Sequence, residues 1–220
     1  MSDLQSIKSL DNPLFFDVIH GRQTVRNYKP DVKISKNEIT EMLQEATQAP
    51  SGGNLQSWRF LVLDSLEQKQ KLFSIAYNQK QIVEASAVII VLGDLECYKM
   101  AKKIYNQAVE AGVMPEDMAK SSVKRYTDLY SNMSQEDVLQ TVSLECGLVS
   151  MQFMLVARAK GYDTGPMRGF SKEKLMEAFN ISDRYTPVLL IALGESAKAG
   201  YPTVRLPVQN VVFFNKMLED

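Results

Sequence analysis

The sequence predicts an α+β fold in which helices surround a mixed central sheet. Three apolar runs, at residues 58–63, 86–92 and 186–193, have the composition of buried strands. Capped segments lie between them. One of these, residues 135–160 with Ser134 as its cap, is apolar on nearly all sides of its middle. Such a helix is buried all round, either at the centre or at a subunit interface. No internal repeat or linker interrupts the chain, so residues 1–220 are expected to form one domain.

A short helix and an extended segment are predicted near the start of the sequence. Asn12 as a cap and Pro13 at the first helical position predict a helix over residues 13–20. Residues 22–28 are expected to be extended, because the β-branched pair Thr24–Val25 favours that conformation.

Two further helices begin at recognisable caps. Ser35 with Glu38 makes a capping box before a helix over residues 36–48. Ser65 has the same role at the helix that follows the first strand.

The second half of the chain contains less regular segments. Residues 95–133 are polar and rich in lysine and tyrosine, and they predict two or three helices outside the core that either cover a pocket or cover their own subunit. Residues 161–170 contain three glycines and a proline, which predicts a sharply turning backbone. Ser171 caps a short helix, and residues 208–214 read as a terminal strand that pairs in its own sheet or extends toward a partner subunit.

Composition excludes several classes of protein. The net charge of −1 and the scattered basic residues argue against a nucleic-acid partner. His20 is the single histidine, so a His-based zinc site or a Ser-His-Asp triad would depend on one imidazole. Neither of the usual glycine-rich phosphate motifs is present.

The same counts indicate a cytoplasmic setting without a membrane partner. The first five residues lack the pattern of a secretion signal, and the apolar run at residues 146–157 is too short for a membrane span. Cys97 and Cys146 are no disulfide framework, and we expect buried thiols in a reducing cytoplasm.

The loop between the second helix and the first strand is the first candidate site. Pro50 ends the helix, and Gly52–Gly53 free the backbone. Neutral hydrogen-bonding side chains then follow before Trp58, namely Ser51, Asn54, Gln56 and Ser57. A flat ligand with polar edges would use them well, although an ordinary connection with local hydrogen bonds explains them too.

The extended segment after the first helix is the second candidate. Extension places Arg22, Thr24 and Arg26 on one side, and two guanidinium groups with a hydroxyl make a phosphate clamp. The alternative is a solvated basic edge paired with nearby Asp or Glu.

Three stretches and one tail residue together resemble the FMN-dependent nitroreductase family. The stretches are residues 22–26, 49–58 and 165–169, and the tail carries Arg205. No single motif is highly specific, but their order and spacing over residues 13–214 match the family, as do the long helix and the basic tail.

The resemblance implies a homodimer with FMN sites at the subunit interface, each built from both chains. The positions that match the family's FMN contacts are Arg22, Gln23, Thr24, Arg26, Pro50, Ser51, Gly52, Asn54, Gln56, Asn78, Gln81, Pro166, Met167, Arg168, Gly169 and Arg205. The residues of the loop at 50–56 would come from the other subunit. Pro166 would lie against one face of the flavin ring, and the backbone N–H groups of Arg168 and Gly169 would point at N5 and O4.

The resemblance also implies the chemistry. Hydride passes from NADH or NADPH to flavin N5 and then to a small electron-poor acceptor, such as a nitroaromatic or a quinone, with ping-pong kinetics. The cofactor carries this reaction, so no catalytic side chain and no metal are required. Relatives with other acceptors dehalogenate aromatic rings, reduce activated alkenes or oxidise rings, and a flavin-binding protein without turnover is a third interpretation.

Two positions depart from the family pattern. Many members have lysine at the position of Gln81, and lysine or arginine at that of Thr203. We expect Arg26 to be the main cation near the pyrimidine edge, and the phosphate to have one cation fewer than in relatives.

Overall fold

The computed structural model describes residues 14–217, which form one sheet with helices on both faces. The strands are β1 Trp58–Leu63, β2 Ala87–Asp94, β3 Asp163–Met167 and β4 Tyr185–Gly194. The helices are α1 Phe15–Gly21, α2 Lys36–Ala46, α3 Leu66–Ile75, α4 Gln81–Glu84, α5 Ala101–Glu110, α6 Glu116–Asn132, α7 Gln135–Ala159 and α8 Lys172–Ala178. The predicted cap Asn12 and Pro13 lie outside the described residues.

The four strands pair in the order β1-β2-β4-β3, and all three ladders are antiparallel. The prediction of a mixed sheet is therefore wrong for the ladders, and parallel pairing within residues 14–217 is confined to one bridge between Thr24 and Thr164. The apolar runs identify the strands but do not say whether neighbouring strands run parallel or antiparallel. That depends on the end of the sheet at which each connecting segment returns.

Strand β2 is buried along its whole length, as its unbroken apolar run predicts. Successive side chains point to opposite faces, so Val88 and Ile90 belong to one core and Ile89 and Val91 to another. Helices α3 and α8 cover the first face, whereas α2 and α7 cover the second.

Helix α7 is buried on one face only. Cys146, Val149 and Phe153 are at most 1% exposed, whereas Leu144 is 67% and Leu148 is 42% exposed. Complete burial within one chain is thus not observed, and the interface interpretation remains a prediction. Helix α7 is long and apolar enough to cross a membrane, whereas the run at residues 146–157 alone is too short. In the structure α7 packs on α2 and on the sheet.

The predicted caps are confirmed at four helices. The hydroxyls of Ser35, Ser65, Ser134 and Ser171 each accept a hydrogen bond from the backbone N–H three residues later. At Ser35 the Glu38 carboxylate also accepts from the Ser35 N–H, which completes the capping box.

Two segments differ from their predictions. Part of the glycine-rich stretch forms β3, because its backbone pairs with β4 from Gly194 to Leu190. Residues 208–214 form no strand and contain only the short 3-10 turn Val208–Asn210. A strand needs a hydrogen-bonded neighbour, and this tail lies exposed beyond the sheet of its own chain.

Asp94 joins two arginines at the end of β2. Its carboxylate is fully buried and accepts hydrogen bonds of 2.7 Å from Arg59 and, on both oxygens, from Arg184. Asp94→Ala would leave both partly buried guanidinium groups without their anion, and we expect it to lower the free energy of unfolding by about 3 kcal/mol.

Urea denaturation followed by circular dichroism measures this loss. Asp128→Ala is the control, because Asp128 pairs with Lys124 on the surface and its removal is expected to leave the transition unchanged. Equal midpoints for Asp94→Ala and the wild type would contradict the structural role of Asp94.

Candidate functional site

The extended segment at residues 22–28 lies between β3 and the start of the tail. The Val25 N–H donates to the Thr164 carbonyl at 3.0 Å, and Tyr28 bridges Ser196 beyond β4. The tail crosses close to this segment, because a Cβ atom on Gly200 would lie 2.7 Å from the Thr24 carbonyl oxygen. The chain thus brings the predicted clamp and the first part of the basic tail together.

The three arginines predicted to hold the phosphate lack a carboxylate partner in the described part of the chain. Arg22 is half-buried, while Arg26 and Arg205 are exposed, and within residues 14–217 none of the three forms an ion pair. Arg26 lies over the Tyr201 ring at 6.0 Å. Within residues 14–217 the alternative of a basic edge paired with acidic residues is therefore not observed, and guanidinium groups without an acidic partner suit a phosphate.

Two more predicted stretches meet beside the same edge. Gln81 is buried, and its amide nitrogen lies 3.2 Å from the Met167 sulfur and 3.1 Å from the Gln79 side-chain oxygen. Gln79 in turn donates to the Gly169 carbonyl at 2.8 Å. The Gln81 amide is therefore held within the chain, and Gln79 is a positioning contact that the sequence did not indicate.

The remaining predicted residues at this edge are accessible. Asn78 has a positive φ of 56° and is exposed, and Pro166 is half-buried on β3. Arg168 and Gly169 are both exposed, and their backbone N–H groups donate to no backbone carbonyl among residues 14–217. Free N–H groups at an open surface are able to bind an acceptor atom of a ligand.

The polar loop between α2 and β1 has a tight conformation. Gly53, Asn54 and Gln56 all have positive φ angles, of 58°, 55° and 50°. The Ser51 hydroxyl accepts from the Gln56 N–H at 3.0 Å, and the Gln56 side chain donates to Asn54. The alternative of local hydrogen bonding is thus partly correct, since Ser51 and Gln56 serve the loop itself, while Pro50, Gly52 and Asn54 are exposed.

Three residues outside the predicted set hold this loop. The Gly52 N–H donates to the Glu145 carboxylate on α7 at 2.7 Å. The Tyr105 hydroxyl on α5 donates to the Gly53 carbonyl at 2.6 Å, and the Tyr126 ring on α6 lies against Gly53. Burial and the nearby Tyr126 raise the pKa of Tyr105 to about 12, so that its hydroxyl stays a donor at neutral pH.

The helices at residues 101–132 therefore cover their own chain. Tyr98 and Tyr130 stack on each other at 5.9 Å, and Tyr130 is buried. The tyrosine-rich composition predicted such a covering role but not the loop that Tyr105 and Tyr126 contact, and no pattern indicated Glu145, because that loop is far away along the chain.

The polar loop and the arginine edge lie at diagonally opposite corners of the sheet. Trp58 is in line with Gly93 and Thr186, whereas Thr164 pairs with Leu193, seven residues further along β4. At roughly 3.3 Å per residue this is about 23 Å along the strands, and the three strand spacings across the sheet add about 14 Å. One small ligand is not expected to contact both corners of the same chain.

The cysteines do not supply a reactive group. Burial raises the pKa of Cys97 to about 11 and that of Cys146 to about 12, so both are neutral thiols at pH 7. In the described part of the chain, no group of three or more His, Cys, Asp and Glu side chains is placed to hold a metal ion.

Comparison with known proteins identifies related chains. The model of the Nitroreductase family matches residues 19–195. The Bacillus subtilis (strain 168) protein YdgI, provisionally named an NAD(P)H nitroreductase, is 44% identical over 199 residues, which cover 90% of this chain and 95% of that protein. The CLA biosynthesis enone reductase of Lactiplantibacillus plantarum is 33% identical over 204 residues, covering 91% and 94%.

The fold also agrees with that of a solved structure. A nitroreductase-like protein from Exiguobacterium sibiricum 255-15, solved in complex with FMN, has a TM-score of 0.89 and 44% identity, covering 92% of this chain and 98% of that one. The α+β prediction is therefore confirmed at the level of the fold.

Gly53 is the point at which α6 touches the loop. A Cβ atom there would lie 2.3 Å from the Tyr126 ring, and φ is +58°. Gly53→Ala is expected to lower the free energy of unfolding by about 2–4 kcal/mol, because a steric clash adds to backbone strain.

Gly112→Ala is the matched control, since Gly112 also has a positive φ, of 71°, but open space around it. Urea denaturation should show a smaller loss for this variant, of about 1–2 kcal/mol. A loss at Gly53 no larger than that at Gly112 would mean that the Tyr126 contact is unimportant.

Proposed function

The chain belongs to the nitroreductase family, and on this premise we propose that it is an FMN-dependent oxidoreductase that uses NADH or NADPH to reduce a small electron-poor acceptor. The observation that carries the proposal is the arginine edge, where Arg22 and Arg26 form no ion pair among residues 14–217 and lie beside the start of the tail that carries Arg205. Its location beside β3 brings it close to the segments at 78–81 and 166–169. We propose that all of residues 1–220 belong to one flavin-binding domain of a cytoplasmic protein.

The residues present fit FMN. Arg22 and Thr24 would hold the phosphate, with Gln23 beside them, and the tail that passes Thr24 at Gly200 would supply Arg205. Arg26 would place a positive charge near the pyrimidine edge, where negative charge develops on reduction. Asn78, Gln81 and Met167 would line the ring, with the Gln81 amide held by Gln79.

The ring face and its polar edge would be set by β3 and the turn that follows it. Pro166 would lie against one face, and the N–H groups of Arg168 and Gly169 would donate to the ring. These backbone donors have no other backbone acceptor in the described range, so that they bind a ligand without losing an existing bond. When bound, the flavin supplies the hydride chemistry, and the protein needs only to position it and exclude competing reactions.

We propose that two chains form each site. The loop residues Pro50, Ser51, Gly52, Asn54 and Gln56 lead into Trp58, at the sheet corner diagonally opposite the arginine edge, and we assign them to the flavin of the partner chain. An apolar groove of about 830 Å³ runs between α1 and α7 beside Pro50, and its walls include Leu148 and Met151. A second copy of α7 would cover this surface and bring the partner's loop to the flavin.

Nitroaromatics and quinones are the acceptors that we propose first, since YdgI carries a nitroreductase name at 44% identity. Ping-pong kinetics would follow if nicotinamide and acceptor use the same open ring face in turn. A second candidate is reduction of an activated alkene. It is favoured by the similarity to the enone reductase, which extends over 91% of this chain.

Anaerobic titration tests the function directly. We expect purified protein loaded with FMN to lose its absorbance near 450 nm when NADPH or NADH is added, and to regain it with a quinone or a nitroaromatic. A yellow protein that neither donor bleaches would instead be a flavin-binding protein without turnover. Comparison of a nitroaromatic with an enone under steady-state conditions separates the two candidate acceptors.

Arg22→Ala and Arg205→Ala test the phosphate clamp. Each would remove a charge-assisted contact worth about 1.5–3 kcal/mol, which corresponds to about 10- to 150-fold weaker FMN binding. Fluorescence quenching of FMN measures the affinity, with Lys120→Ala on α6 as a control for the loss of one positive charge. Unchanged affinity in both arginine variants would show that the clamp is assigned to the wrong residues.

Sedimentation tests the two-chain site. We expect FMN-loaded protein to sediment as a dimer, because a monomer lacks one corner of the site. An FMN-loaded monomer with wild-type affinity would contradict this arrangement while leaving the reductase function intact.

A further inference from the structure

A carboxylate from the central helix lies directly against the polar loop. Glu145 on α7 is only 4% exposed, and it accepts a hydrogen bond of 2.7 Å from the Gly52 N–H and another from the Ser57 hydroxyl. We propose that Glu145 is a positioning residue that holds residues 51–57 in the conformation that contacts FMN. This inference depends on the proposed function, because it assigns the loop to the flavin site.

The two hydrogen bonds that Glu145 accepts are important because its carboxylate is buried. A buried carboxylate loses the hydration that it has in water, and it needs donors or a cation to compensate. Among the residues that the structure describes, Glu145 has no Lys, Arg or His within ion-pair distance. Its described hydrogen bonds come from Gly52 and Ser57, so the loop and the carboxylate stabilise each other.

The two donors lie at either end of the strained part of the loop. Between Gly52 and Ser57 the backbone passes through three positive φ angles, at Gly53, Asn54 and Gln56. Conformations of this kind cost free energy and persist only where surrounding contacts enforce them. Glu145 connects both ends of this turn to α7 and therefore restricts the loop as a unit.

Gly52 lies in close contact with the Glu145 carboxylate. A Cβ atom on Gly52 would lie 3.2 Å from the Glu145 Oε1 atom, which is tighter than ordinary packing. The carboxylate consequently sits against the loop backbone, and its second oxygen binds the Ser57 hydroxyl just before Trp58 enters β1. Both oxygens point into the chain, so Glu145 acts through the loop and not on a substrate.

The same helix has a second relevant face. Leu144 and Leu148 flank Glu145 in sequence and are exposed on the surface that we assign to the partner subunit. Glu145 would therefore fix the loop relative to the helix that contacts the partner. The loop then reaches the partner's flavin at a defined position.

Substitution of Glu145 tests this role in the full-length protein. Glu145→Leu keeps the approximate size but has no acceptor, and we expect it to bind FMN at least about tenfold more weakly. Glu145→Gln should restore most of the affinity, because its amide oxygen accepts from the Gly52 N–H and its amide nitrogen donates to the Ser57 oxygen. Glu136→Leu, on the exposed first turn of α7, is the matched control and should bind FMN like the wild type.

Thermal unfolding of the flavin-free proteins separates positioning from general stability. Among variants with a similar melting temperature, we expect Glu145→Leu to lose more FMN affinity than a control variant. If Glu145→Leu does not fold, Ser57→Ala replaces it, since that variant removes one of the two donors and should weaken FMN binding by a smaller factor.

Two results would overturn the inference. The first is wild-type FMN affinity in Glu145→Leu, or in Ser57→Ala if that variant replaces it. The second is equal loss in the Leu and Gln variants, because the hydrogen bonds would then not be the cause. A wild-type protein that binds no FMN would overturn the proposed function as well, so the two failures are distinguishable.

Discussion

The need to cover both faces of strand β2 organises this protein. Every residue from Ala87 to Asp94 is buried, and the alternating side chains enter two separate cores. Burial of this apolar area is the main favourable contribution to folding. It requires helices on both sides of the sheet, and α7 is the long helix that covers one of them.

This arrangement also determines where ligand-binding groups are able to lie. The sheet interior has no room for a flavin, so the candidate residues collect at its two far corners. One corner has the arginines beside Thr164, and the other has the polar loop before Trp58. Because the two corners lie on the two edge strands and at opposite ends of the sheet, a site that uses both is built most simply from two copies of the chain. The exposed face of α7 supports the two-chain arrangement that we propose.

Local patterns in the sequence predicted much of this fold. The bounds of β1 were predicted to the residue, and the serine caps of four helices were correct, because both depend on neighbours in the chain. The mixed sheet and the pairing of residues 208–214 in the sheet of their own chain were wrong, since both depend on which segments meet in space, and extension of this tail toward a partner subunit stays a prediction. The arginine edge was predicted from its spacing, whereas Glu145 was not, because a single acidic residue inside an apolar helix has no local signature.

The contact between Gly53 and the outer helices has a consequence for how such proteins diversify. Tyr105 and Tyr126 bind the loop from α5 and α6, yet most other side chains of these helices face solvent. Mutations at the outward positions are free to accumulate, and they would change the outer surface of α5 and α6 without disturbing the loop. Mutations at the two tyrosines would instead reach the loop. A lineage is thus able to vary the outer surface of these helices through one set of residues while selection for the loop conformation acts on another.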